Sequence, residues 1–151
     1  MDRVEKTRHR IAELLASQQL AVLSTHHRGE PYASLIGFAA EADLSRIYFA
    51  TPQTTRKYRN LREDPRAALL IDSRTHQESD FHRAAAVTAV GRAVDIEPGS
   101  AVASAEALYL SRHPYLTDFL CAPTTRFIQI VVNRYLLVEN FQQVMELRMA
   151  P

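Results

Sequence analysis

Cysteine occurs once in these 151 residues, at Cys121, which excludes an internal disulfide framework and a multi-cysteine metal site. Its expected role is a small packed apolar residue. Tryptophan is absent, and only four glycines and seven prolines are present, so low-complexity and disordered classes are excluded. Lysine occurs twice, at Lys6 and Lys57; arginine supplies the rest of the 18 basic residues, and 17 acidic ones bring the net charge to +1. A balance so near zero gives no global field to collect nucleic acid or a membrane surface. No apolar run approaches the ~20 residues of a membrane span. The opening MDRVEKTRHR is charged and lacks the apolar core of a signal peptide, so the expectation is a cytoplasmic protein.

What is present is a globular composition, 46% hydrophobic and 23% charged, at the size of one domain, expected over 1–151. Residues 3–16 place Val4, Ile11, Leu14 and Leu15 at helical spacing. LAVLSTHH (20–27), PYASLIGFAAE (31–41), RIYFAT (46–51), RAALLID (66–72), AAVTAVGRAVDI (85–96) and FIQIVVNRYLLVEN (127–140) read as six strands. The turn RGEP makes 20–41 a hairpin, Gly91 marks a bulge or bend, and Asn133-Arg134 is a break in the last strand. Helices are expected over TTRKYRNLRE and over 98–113, and 73–83 reads as a polar loop. Mostly hairpin-joined strands with few helices point to an antiparallel barrel of α+β character.

The stretch with most chemistry is TPQTTRKYRNL (51–61), where a strand hands over to a helix. A helix start exposes unpaired N–H groups and the positive end of its dipole. Threonine there can cap the helix or bond an anion. Arg56 offers a planar fork and Lys57 a point charge, which together suit a phosphate. The competing reading is a capped helix with a solvated basic face, to which Arg59 and Arg62 conform.

GEPYASLIGF, RIYFAT and TTRKYRNLREDPRAALLID, in that order, resemble the pyridoxamine 5′-phosphate oxidase-like, FMN-binding split-barrel proteins. The resemblance runs from about residue 8 to 140 and is most specific over 29–72. It implies a six-stranded antiparallel split β-barrel with flanking helices, forming a homodimer with FMN at the subunit interface. It also implies that Thr55, Arg56 and Lys57 hold the FMN phosphate. Ala50 and Thr51, at the end of the third strand, would lie at the cofactor, and the backbone of Ser34, Leu35, Ile36 and Gly37 would run past the flavin ring. Members that oxidise pyridoxamine phosphate carry a basic residue at the position of Ser34, a lysine at that of Ala39 and a glutamine at that of Ala86. They also carry a C-terminal arginine-histidine signature that FQQVMELRMAP lacks. The resemblance therefore implies an FMN-dependent oxidoreductase acting on some other small molecule. Two alternatives stand beside it: a flavin carrier or sensor without turnover, and a split-barrel relative using the deazaflavin F420 or haem.

His26 and His27 are adjacent on a strand and so face opposite ways, which disfavours a shared metal ion. His76 and His82, with Glu78 and Asp80, read as a polar loop, and no catalytic acid or base is assignable. Tyr32, Tyr48 and Tyr58 read as barrel or interface aromatics, with Tyr32 near the flavin. RKYRNLREDPR is basic, but Glu63 and Asp64 dilute it and no nucleic-acid recognition motif is present.

Overall fold

The computed structural model describes residues 1–97, 103–140 and 143–150. α1 (Arg3–Ser17) starts where Asp2 accepts a 2.8 Å bond from the Glu5 N–H, and its apolar face buries Ile11, Leu14 and Leu15. Val4 departs from that expectation: it sits in the first turn, beyond the edge of the core, and is exposed. Thr7 faces inward instead, its hydroxyl bonded to the Arg3 carbonyl. β1 (Leu20–His27) and β2 (Glu30–Gly37) form the expected hairpin. Its two turn residues, Arg28 and Gly29, both have positive φ, 50° and 89°, the turn that matches strand twist.

The strand expected over 31–41 is in fact two. After β2 the chain bends at buried Phe38 and continues as β3 (Ala39–Ala40), which pairs with β4 (Arg46–Pro52) rather than with β1. Then come α2 (Arg56–Glu63), β5 (Arg66–Asp72), a one-turn α3 (Asp80–Arg83) within the polar loop, β6 (Ala85–Ile96) and α4 (Ala103–Arg112). A 3-10 turn at Pro114–Leu116 leads through α5 (Thr117–Cys121) to β7 (Thr125–Glu139) and β8 (Gln143–Arg148). Of the helix expected over 98–113, residues 98–102 lie outside the described residues, as do 141, 142 and 151 of the tail.

The sheet runs β2-β1-β5-β6-β7-β4-β3 with β8 added on β7, and every pairing is antiparallel. Its two end strands, β2 and β3, are consecutive in the chain, so the sheet curls round until one run of residues touches both edges. The expectation was six strands; eight segments are seen, because the second strand divides and the tail supplies β8. The break expected at Asn133-Arg134 is a bulge: Val90 pairs with Arg134 and Gly91 with Val132, leaving Asn133 without a partner on β6.

The main core fills the curl with Ile11, Leu23, Phe38, Ile47, Phe49, Leu69, Ile71 and Tyr135. A second cluster lies outside it, where α4 sets Ala105 and Tyr109 against Ala39, Tyr48 and Phe127. There Tyr48 stacks on Phe127 with ring centroids 5.5 Å apart. Among the described residues no helix is long and apolar enough to cross a membrane.

Candidate functional site

α2 owes its position to four side chains. Thr55 is its N-cap, accepting from the Tyr58 N–H at 3.3 Å, and the Thr55 hydroxyl also lies 2.7 Å from that of buried Thr51 on β4. Asn60, buried, donates to the Thr25 hydroxyl on β1 at 3.0 Å, and Leu61 enters the core. Tyr58 donates its phenol proton to Asp95 on β6, which a fork from Arg126 also holds. The helix start is thereby fixed against β1, β4 and β6, with Arg56 and Lys57 in its first turn. Among the described residues neither cation pairs with a carboxylate. Arg56 lies over the Tyr32 ring of β2, 5.5 Å from its centroid, and beside it opens a cleft of about 290 Å³ bordered by His27, Arg59, Asn60 and Glu63.

The strand residues flank a gap. β2 is an edge strand, bonded to β1 alone, so alternate backbone N–H and C=O groups from Glu30 to Gly37 point away from the sheet. Among the described residues β4 pairs on that side with no strand but the two-residue β3, in the register Ala39↔Tyr48 and Ala40↔Ile47. Continued by three residues, that register would set Gly37 opposite Ala50 and Ile36 opposite Thr51, but the ladder stops. The split therefore opens between the segments expected at the cofactor, Ser34–Gly37 on one side and Ala50–Thr51 on the other. Side chains divide by strand alternation. Tyr32, Ser34 and Ile36 share the inner face with the Ile36 side chain in the core, whereas Leu35 points outward and is 65% exposed. The Ser34 hydroxyl is buried and has no hydrogen-bond partner among the described residues.

Two residues at this gap escaped sequence reasoning. Tyr109 of α4 donates to the Gly37 carbonyl at 3.3 Å, and the Ala50 backbone N–H faces the Tyr109 hydroxyl from β4. Burial pushes this phenol up to about 12, so it stays a donor at neutral pH. His113, buried just beyond α4, donates from Nε2 to the Phe38 carbonyl at 2.8 Å and packs its ring on Gly37. The available signal was the Tyr-x-x-x-His spacing, which puts both rings on one helix face, 5.0 Å apart.

Elsewhere the histidines of the first hairpin take separate carboxylates, His26 Nε2 at 2.8 Å from Asp64 and His27 Nδ1 at 2.9 Å from Glu63. His82 lies in α3 and His76 in the loop before it. Cys121 is exposed, against expectation, because it ends a one-turn helix on the surface.

A search with protein-family models matches the chain, over residues 7–138, to the family described as pyridoxamine 5′-phosphate oxidase. A search of curated proteins finds no match. Among solved structures, a haem-binding protein from Mycobacterium smegmatis is 21% identical with a TM-score of 0.80, covering 93% of this chain and 57% of its own. This chain thus spans little more than half of that protein. A FAD-binding protein from Mesorhizobium loti is 18% identical with a TM-score of 0.68, covering 89% of this chain and 90% of its own. A putative pyridoxamine 5′-phosphate oxidase from Listeria innocua is 18% identical with a TM-score of 0.65, covering 95% and 99%. Identities this low establish the shared fold.

Proposed function

This chain belongs to the pyridoxamine 5′-phosphate oxidase family, and on that premise we propose that it binds FMN in the split between β2 and β4 and serves as an oxidoreductase for a small molecule. One observation carries the reading: the buried, unpartnered Ser34 hydroxyl lies on the same inner face as Tyr32, whose ring is capped by Arg56 from the start of α2. An orphaned polar atom beside unpaired cations and two open strand edges fits a polar, anionic, planar guest. Thr55, Arg56 and Lys57 hold the phosphate. The backbone groups of Ser34–Gly37 that neither β1 nor Tyr109 occupies, with Ala50 and Thr51, bond the edge of the ring system. When bound, FMN supplies hydride transfer, and the protein supplies position and exclusion of water. Ser34, Ala39 and Ala86 are small where pyridoxamine phosphate oxidases carry basic or amide side chains, so the substrate assigned is a different molecule. A homodimer completes each site.

The test is a titration with two ligands. Replacing Arg56 and Lys57 together by alanine removes two charge-assisted contacts and weakens FMN binding by about 10²- to 10⁴-fold, if the terms add. Riboflavin, which lacks the phosphate, loses far less. Equal losses for the two ligands, or an unchanged FMN dissociation constant, rules out the phosphate cradle. The absorption spectrum of the purified protein distinguishes flavin from haem before any mutation is made.

A further inference from the structure

The split has a built limit, and it is made by one helix that the cofactor reading does not use. Where β3 ends, the next rung of the β3–β4 register would join Gly37 to Ala50. The Tyr109 hydroxyl takes that rung's place, donating to the Gly37 carbonyl while the Ala50 backbone N–H faces the phenol oxygen. One residue further on, His113 Nε2 donates to the Phe38 carbonyl. Acceptance by a carbonyl fixes the proton on Nε2. Both groups are almost wholly buried, Tyr109 and His113 each at 1% exposure. Gly37 has no room to drift toward the helix, since a Cβ there would stand 3.3 Å from the imidazole Cε1. α4 and the residue after it thus bond the last carbonyl of β2 and the carbonyl of the Phe38 bend, and set the Tyr109 hydroxyl beside Ala50 of β4.

We propose that Tyr109 and His113 are positioning residues which hold the split at one width and so present the backbone of Ser34–Gly37 and Ala50–Thr51 to the flavin ring. The inference rests on the FMN reading above. A phenol oxygen between two strands keeps their backbones farther apart than a direct N–H···O=C rung does. Without it the barrel can zip on by one pair and narrow the space for the ring. The phosphate contacts, on α2, are unaffected.

Tyr109→Phe removes the hydroxyl and keeps the ring in its pocket. The expected result is a weakening of FMN and riboflavin by the same factor, on the order of 10-fold, with a shift in the absorption band of the bound flavin. That pattern differs from the FMN-selective loss at Arg56 and Lys57. At the second anchor His113→Gln, whose amide can still donate to Phe38, retains binding and spectrum, whereas His113→Leu loses both as Tyr109→Phe does. A purely structural role would lower the melting temperature of these variants and leave the spectrum of the bound flavin unchanged, which overturns the proposal. So does loss of FMN affinity alone, since that places the effect at the phosphate. A wild-type chain that binds no flavin overturns the cofactor reading itself. A wild-type chain that binds flavin while Tyr109→Phe and His113→Leu match it overturns this inference only.

Discussion

At the scale of single residues, Gly91 has the least latitude. A Cβ on it would lie 2.2 Å from the Val131 carbonyl oxygen, an obstruction made of backbone and not of a side chain that can swing away. The bulge at Asn133 brings β7 this close to β6. Gly91→Ala must therefore push two central strands apart, and it destabilises the chain by at least about 2 kcal/mol, read as a lower urea midpoint at an unchanged slope. A midpoint equal to wild type would show that the bulge relaxes freely. Sequence reading marked this glycine as a bulge or bend because a lone Gly inside a strand pattern has few other reasons to be there. It marked Thr55, Arg56 and Lys57 because they are contiguous. Tyr109 and His113 were missed because their partners Gly37 and Phe38 are 72 and 75 residues away. Ser34 was noted for its backbone and for the basic residue it replaces, not for its hydroxyl, since whether a hydroxyl is satisfied depends on packing that no local pattern encodes.

At the scale of elements, the run from α2 into β5 is held in place by two polar residues with tertiary tasks. Asn60 ties the helix to β1, and Asp64 ends the helix and grips the next strand. Arg66 forks the Asp64 carboxylate and adds a backbone N–H; the His26 bond reinforces both, and together they hold that carboxyl well below the usual carboxylate range. A carboxyl depressed in the folded state contributes stability that is fully present above its unfolded pKa of about 3.9 and is lost as pH falls through and below that value. Wild type should lose stability more steeply than Asp64→Asn on going from about pH 5 to about pH 2. Parallel slopes in urea midpoints taken along that range would remove Asp64 from the acid response. The element that sequence reading drew wrongly is the strand at 31–41. Its alternation is continuous through Phe38, so nothing local reveals that β2 pairs to one side and β3 to the other. That change of partner is a property of the closed sheet, and it is what makes the split.

At the scale of the whole molecule, the described residues leave part of the outer face of the sheet uncovered. Cross-strand partners set Leu35, Val22, Leu70, Thr88 and Leu136 in a row across β2, β1, β5, β6 and β7. Ala33, Ser24, Ala68 and Val90 form a second row beside it. Leu35 is 65% and Leu70 38% exposed, in a surface with little charge until Glu146 and Arg134 at its β8 end. A contiguous apolar sheet face of this kind is costly to leave in water. A second copy of the chain placed on a two-fold axis would cover it with the same surface. The wild-type protein should therefore sediment at micromolar concentration near twice the 17.1 kDa chain mass. Leu35→Arg with Leu70→Arg puts four charges into such an interface but costs a monomer little, because both side chains already reach solvent. The double variant should sediment as a folded monomer with its circular dichroism retained. It should also bind FMN less tightly, since Leu35 lies on the strand that borders the split and its neighbour across the axis would be gone. Wild type running at 17.1 kDa with flavin still bound would mean that the face is covered by something other than a second copy and that each site is complete within one chain.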